Sequence, residues 1–308
     1  MIYSNLLQAV GKTPIVKINS IEKENRAEIL AKAEFLNIGG SIKTRTACAM
    51  IMEAKRQGLI NEKSVIVEVS SGNQGIGLAL VGAILSIKTI IIIPSSVSEE
   101  RSKLLKLYGA EVIRVKDNGD IGDCIHRCER LAIELKEENP NVFIPNQFNN
   151  FANPNAHYNT TALEILQDVG EKIDGLCLGI GSGGSISGIG RRLKEANPKI
   201  VIWAVEPEKA AILSGGKVET HIQMGIGDGI IPSVLDKEII DKVIKVSDAA
   251  AVYYAKLLAK KEGIACGISS GSNMFGSLLL AKELGIGKRV VTIFPDGAER
   301  YFSTPLFL

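Results

Sequence analysis

Five consecutive residues, Gly181-Ser182-Gly183-Gly184-Ser185, have the make-up of an anion cup. Small residues let backbone N–H groups approach a phosphate, the segment ISGIGRRL that follows reads as a helix whose dipole adds attraction, and two hydroxyls can donate further hydrogen bonds. The run matches neither the dinucleotide loop G-x-G-x-x-G with its acidic partner nor G-x-x-x-x-G-K-S/T, so it favours a mononucleotide-type phosphate over NAD or ATP. Taken alone it could be a plain tight turn. Lys43, in LNIGGSIKTRTA, follows a small-residue loop and opens a helical pattern. Positive helix-terminal charge there disfavours protonation of the amine and makes it a better nucleophile toward an aldehyde. A solvated helix-start lysine is the plain alternative. What weighs against it is the company of other small-residue loops, SSGNQG (70–75), GIGSGGS (179–185) and GISSGS (267–272).

The elements that must position these loops are legible as apolar runs. SVIVEV (64–69), TIIIIP (89–94), EVIRV (111–115), GLCLGIG (175–181), IVIWAVEP (200–207) and RVVTIFPD (289–296) are continuous enough to be strands covered on both faces. That predicts an α/β chain with mainly parallel sheets flanked by helices. Lys43 to Gln57 has helical spacing and stops at Gly58; Ser98 caps another helix that ends near Gly109. In open α/β sheets, loops at the carboxyl ends of strands face one crevice, so three glycine-rich loops imply an anion-bearing ligand held from several sides.

The chain has 308 residues and a formal charge of +2, from 36 Lys plus Arg against 34 Asp plus Glu. Two compact lobes fit that length, and the charge gives no reason to expect nucleic acid or an anionic membrane as partner. Five scattered cysteines argue for a reducing cytoplasm rather than a disulfide framework. Cys124 and Cys128, flanking His126 on an amphipathic segment, invite a metal reading, but without a second cluster they read as buried thiols, and no metal site is expected. The apolar stretch from Gly77 to Pro94 is interrupted by Ser86 and Lys88, so it reads as a core helix followed by a core strand, and the N-terminus lacks a signal-peptide pattern.

The motifs NIGGSIKTR, SSGNQG, NQFNNFANPNAHYNTT, GIGSGGSISG, MGIGDGIIP, GISSGS and FPDGAERYFSTPLF resemble, in order and over almost the whole chain, those of the cysteine synthase (O-acetylserine sulfhydrylase) and cystathionine β-synthase family. The resemblance implies a two-lobed pyridoxal-phosphate enzyme of the second fold type. It further implies a large lobe of residues 1–36 and 148–308, a small mobile lobe of residues 37–147, and an active site in the cleft. Lys43 would form the Schiff base and shuttle the α-proton. Asn73 would bind the cofactor's phenolic oxygen, Gly181, Ser182, Gly183, Gly184 and Ser185 its phosphate, and Ser269 its pyridine nitrogen. Ser70, Ser71, Gln74 and Gln147 would bind the substrate carboxylate. The implied chemistry is β-replacement on a small amino acid (L-cysteine, O-acetylserine or L-serine) through an α-aminoacrylate. The implied assembly is a homodimer, and serine acetyltransferase is a candidate partner. His157 and His221 read as satisfied residues, Asp296 as structural support and Tyr301 as packing.

The sequence departs from the family pattern at Ile38 (usually Pro), Thr44 (usually Asp), Gln74 (usually Thr) and, most of all, Asp228 (usually Ala). A carboxylate brought into a crevice is costly unless bonded or used. Sulfide is largely ionised at neutral pH and needs little general-base help, whereas water does. With its loop facing the β-carbon, as the resemblance implies, Asp228 would hydrogen-bond a thiol leaving group or act as general base, which points to L-cysteine as donor, release of hydrogen sulfide, and water or another nucleophile as acceptor, giving L-serine in the water case. The alternatives are a loop hydrogen bond at Asp228 with ordinary cysteine synthesis, a serine or threonine dehydratase, and a colourless non-catalytic module of the same fold.

Overall fold

The computed structural model describes residues 2–22, 24–70, 72–95, 99–117 and 121–308. Along the chain come β1 (Ile15–Lys17), β2 (Glu28–Ala33), α1 (Lys43–Arg56), β3 (Val65–Val69), α2 (Asn73–Leu85), β4 (Lys88–Pro94), α3 (Glu99–Leu107), β5 (Glu111–Val115), α4 (Ile121–Glu138) and β6 (Val142–Phe143). They continue with α5 (Ala152–Ala156), α6 (Ala162–Val169), β7 (Gly175–Gly179), α7 (Gly184–Ala196), β8 (Val201–Pro207), β9 (Lys242–Val246), α8 (Asp248–Glu262), α9 (Ile268–Leu284) and β10 (Arg289–Phe294). Two compact units result, one of Met1–Val10 with Lys43–Ala152, the other of Gly11–Ile42 with Asn153–Leu308. The sequence reading drew its lobe boundaries at 36/37 and 147/148; the first ten residues fall in the unit of Lys43–Ala152, where the short turn Leu6–Ala9 lies against α2.

Among the described residues the first unit's strands form a parallel sheet ordered β5-β4-β3-β6. One face carries Val67, Ile90 and Ile92 against Cys124, Cys128 and Ala132 of α4, so the two cysteines are core thiols. Helix α2 is apolar nearly all round and buried over Gln74–Gly82. It ends at a left-handed Ser86 (φ 56) and hands over to β4, the helix-then-strand arrangement that Ser86 and Lys88 signal. Gly58 (φ 71) and Gly109 (φ 81) follow α1 and α3 in the left-handed conformation that ends helices. Ser98 lies outside the described residues.

The second unit's sheet is ordered β1-β2-β10-β7-β8-β9, parallel throughout except where β1 pairs β2. Period-2 alternation sorts its side chains. Trp203, Val205, Val290 and Phe294 face the cluster of α8 and α9, whereas Ile202, Ala204, Val291 and Ile293 face that of α6 and α7. Each of these fully buried aliphatics contributes about 1.5–3 kcal/mol relative to exposure. No helix among the described residues is long and apolar enough to cross a membrane.

Strands β1, β2, β6 and β9 have no counterpart among the apolar runs. In β2 the pattern is broken by Lys32, which is 0% exposed. Its ammonium donates to the Thr13 carbonyl at 2.6 Å and pairs with Glu164 at 2.9 Å, so a charge is tolerated in a central strand because it is compensated.

Candidate active site

Lys43 is the first residue of α1, a 14-residue helix with no acidic residue in its first turn. Its side chain is half-buried, and Nζ donates to Gln147 Oε1 at 3.2 Å. One turn along, the Thr46 hydroxyl lies 2.9 Å from the Lys43 carbonyl oxygen and 2.9 Å from Gln74 Oε1, joining the starts of α1 and α2. Gln74 is 2% exposed and its Nε2 has no partner among the described residues. A buried amide donor left unpaired costs about 1–3 kcal/mol, a cost that an anionic group of a ligand would remove.

Asn73 opens α2, whose N-cap Gly72 supplies no side-chain cap. Ser70 turns its hydroxyl back on the loop, accepting from the backbone N–H of Gly72 (3.4 Å) and Gly75 (3.2 Å). Gly75 is needed there, because a Cβ would come within 2.7 Å of the Ser70 carbonyl oxygen. Ser71 lies outside the described residues. Within this unit the structure brings Lys43, Gln74 and Gln147 into one hydrogen-bonded group with Thr46, while Ser70 and Asn73 frame the start of α2.

In the second unit β7 runs into the glycine-serine loop and α7 begins at Gly184. Gly183, at φ 77, is the N-cap and has no side-chain cap bond, so the first amides of α7 keep their donors for a ligand. The loop's two serines are held from behind. Ser182 Oγ accepts from Asn153 Nδ2 at 2.9 Å, and Ser185 Oγ bonds His157 Nε2 at 3.1 Å. His157, 1% exposed, is fixed in turn by Thr161 Oγ1 at 2.9 Å and sits in a π-helical turn, His157–Thr161, between α5 and α6. Asn153 and Thr161 did not stand out in the sequence; the density of polar residues in NPNAHYNTT was the available signal. Ser269, 3% exposed, lies in the first turn of α9 after N-cap Gly267. Asp296 packs where a side chain at Gly267 would go and accepts from the Tyr301 hydroxyl at 2.5 Å, so Tyr301 does more than pack.

Asp228 belongs to the same unit as the loop. It is flanked by Gly227 (φ 70) and Gly229 (φ 76), both left-handed. Gly227 is pinned through its N–H to the Ile180 carbonyl (2.9 Å) and through its carbonyl to His221 Nε2 (3.0 Å). His221 Nδ1 accepts from the Gln223 N–H at 3.2 Å, which makes Nε2 the protonated nitrogen. The Asp228 carboxylate reaches Gly181: Oδ2 lies 3.3 Å from where a Cβ at that glycine would stand. Asp228 also lines a pocket with Ile180, Ile212, Leu213, Ile230 and Pro232. Glu206 lines it too, but its oxygens accept from the Leu213 and Ser214 N–H groups and the Ser214 hydroxyl.

The chemistry of these donors suits a phosphate at the start of α7 and an electrophilic carbonyl at Lys43. A family model described as pyridoxal-phosphate dependent enzyme matches residues 6–296. A cysteine synthase of Staphylococcus aureus is 45% identical over 304 residues, spanning 98% of this chain and 96% of its own. The crystal structure of a hydrogen sulfide-producing enzyme from Fusobacterium nucleatum is similar at a TM-score of 0.91 and 40% identity, over 97% of this chain and 98% of that one. A second hydrogen sulfide-producing enzyme, solved as an aspartate-to-asparagine variant with an α-aminoacrylate intermediate, gives 0.90 and 37% identity over 98% of this chain and 91% of that one. Identity of this extent along nearly the whole of both sequences settles the family: the chain belongs to the pyridoxal-phosphate-dependent enzymes, among the cysteine synthases and their relatives.

Proposed function

We propose that this enzyme takes L-cysteine as its amino-acid donor, releases hydrogen sulfide, and adds water to give L-serine, with Asp228 as the general base. The overall change balances as L-cysteine plus water to L-serine plus hydrogen sulfide. The observation that carries the reading is the placement of a carboxylate against Gly181, the first glycine of the phosphate loop, in a pocket otherwise mostly apolar.

Bound pyridoxal phosphate supplies the electron sink that lets an α-proton and then a β-substituent depart. The chain's own residues do the rest. The N–H groups and hydroxyls of Gly181, Ser182, Gly183, Gly184 and Ser185 would hold the phosphate, Asn73 would bind the phenolic oxygen and Ser269 the ring nitrogen. A hydroxyl rather than a carboxylate at Ser269 would leave that nitrogen unprotonated, which would suit elimination of a β-substituent. Lys43 Nζ would anchor the aldehyde carbon and carry the α-proton. Gln147 and Gln74, with the start of α2, bind the substrate carboxylate, for which the buried Nε2 of Gln74 is a ready donor. Asp228 orients a water molecule and takes its proton as the oxygen attacks the β-carbon. The hydrogen sulfide-producing relatives support this direction of sulfur flow, and one of them was solved with an aspartate replaced by asparagine.

The test is Asp228→Asn given L-cysteine, with sulfide and serine measured separately. General-base assistance accounts for about 10²–10⁴ in rate, so serine formation drops by that factor while cofactor binding holds. Unchanged serine formation would sink the assignment. The 45%-identical cysteine synthase favours a second reading, O-acetylserine plus sulfide to L-cysteine plus acetate. Supplying that pair to the wild-type enzyme separates the two.

A further inference from the structure

Glu68 is a carboxylate in the middle of a hydrophobic strand that the reaction above does not use. It lies on β3, flanked by β4 and β6, with 6% of its surface exposed. The β3–β6 ladder stops at the pair Ile66–Phe143, so beyond that point, among the described residues, the side of β3 away from β4 has no strand beside it. Glu68 takes over there. Its Oε1 accepts from the Val69 N–H at 3.2 Å and its Oε2 from the Asn146 N–H at 3.1 Å.

Asn146 is at φ 49, the left-handed region that asparagine tolerates better than most side chains. Its carbonyl accepts from the N–H groups of Asn149 (3.1 Å) and Asn150 (3.0 Å), and the Asn150 side chain closes on the Pro145 carbonyl and the Ala152 N–H. The segment is therefore stitched within itself. Glu68 ties it to the sheet, immediately before Gln147, whose Oε1 meets Lys43 Nζ. Burial pushes the Glu68 carboxyl up to about 7, against the opposing pull of its two N–H donors. A group held at that cost is not explained by packing, since an apolar residue would fill the space without it.

We propose that Glu68 is a positioning residue: by clamping the left-handed Asn146 it sets where the Gln147 carboxamide stands, and thereby how tightly the substrate carboxylate is held. The inference rests on the reading of Gln147 as a contact of the substrate carboxylate.

The experiment compares the holoenzymes of wild type, Glu68→Gln, Gln147→Ala and the double variant. KM for L-cysteine is separated from kcat, and binding of glycine, which carries the carboxylate and has no β-substituent, is followed by calorimetry. Glutamine at 68 offers one acceptor where two N–H groups need one each. Expected is a rise in KM and in the glycine dissociation constant of about tenfold, the size of one lost hydrogen bond, with kcat within about threefold. Gln147→Ala gives the same pattern, and the double variant is no worse than Gln147→Ala alone, because both act on one contact. Asn146→Ala, which strains the same turn without touching the carboxylate, repeats the pattern and serves if Glu68→Gln does not fold. A folded Glu68→Gln enzyme with wild-type KM, beside a defective Gln147→Ala, overturns the role of Glu68 alone. Wild-type KM in Gln147→Ala overturns the reading of Gln147 and this inference with it. Equal loss of cofactor affinity and kcat in Glu68→Gln makes the residue merely structural and also overturns it.

Discussion

Lys43 and Asp228 carry the chemistry in the proposed reading, and they differ in how they could be recognised. A lysine at a helix start beside small-residue loops is a weak signal singly; the hydrogen bond to Gln147 gives it a defined position. Replacing it tests the anchor. Lys43→Ala is expected to lower turnover by at least about 10²–10⁴, the range for loss of a positioned proton carrier, and to abolish the visible absorbance of a lysine–cofactor Schiff base. Retained colour with retained turnover would place the anchor elsewhere. Asp228 was legible only as a departure, a carboxylate where the resembling motif carries alanine, and its placement against Gly181 required the fold. Gln74 is a similar case. The sequence marks it as unusual, but its burial and its bond to Thr46 depend on α1 and α2 packing together.

At the scale of elements, the start of α7 is where backbone geometry offers uncapped amides to a ligand. Gly183 is left-handed, and a Cβ there would meet Leu235 at 2.9 Å. Gly183→Ala adds about 1–3 kcal/mol of local strain, so the dissociation constant for pyridoxal phosphate should rise at least tenfold, measured by absorbance titration of the apoenzyme. An unaltered constant would mean the loop does not hold the phosphate. Strand β3 offers a stability test. Glu68 holds its proton more tightly folded (about 7) than the usual carboxyl at 4.5. Its contribution therefore favours the folded chain below about pH 4.5 and is lost as pH rises through 7. Between about pH 4.5 and 8, wild type should lose on the order of 1–3 kcal/mol relative to Glu68→Gln in denaturant melts. Parallel curves would mean that Glu68 is not a buried acid of that kind. The strands that the sequence revealed, β3, β4, β5, β7, β8 and β10, are those apolar on both faces. Those it concealed have physical reasons: β2 buries the compensated Lys32, β6 is two residues long, and β9 (KVIKV) breaks its apolar run with exposed lysines at 242 and 245.

For the whole molecule, two units each fold around their own sheet, and the chain crosses between them near 10, 42 and 152. Composition and length implied two lobes. The crossings near 42 and 152 lie close to the boundaries at 36/37 and 147/148 that the resemblance implied; the one near 10 was not legible, because no linker composition marks it. The single tryptophan, Trp203, lies in β8, buried beneath the Lys242 ammonium at 4.0 Å from the ring centre. Its fluorescence therefore reports the unit that contains the 181–185 loop proposed to hold the cofactor's phosphate. Removing the cofactor with a carbonyl reagent should lower the midpoint of the Trp203 transition, since a ligand at 100 times its dissociation constant adds about 2.7 kcal/mol to the state that binds it. Restoring pyridoxal phosphate should restore the midpoint. An identical midpoint in apo and holo protein would contradict binding by that unit.

The two left-handed glycines around Asp228 also bear on how such an enzyme changes its trade. Both take up left-handed backbone in the turn, and Gly227 also carries its bonds to Ile180 and His221, so the residue between them is the one that brings a side chain to the turn. Alanine and aspartate codons differ by a single nucleotide. On the reading proposed above, the choice between sulfide and water as acceptor would rest on one side chain, with the turn that presents it unchanged.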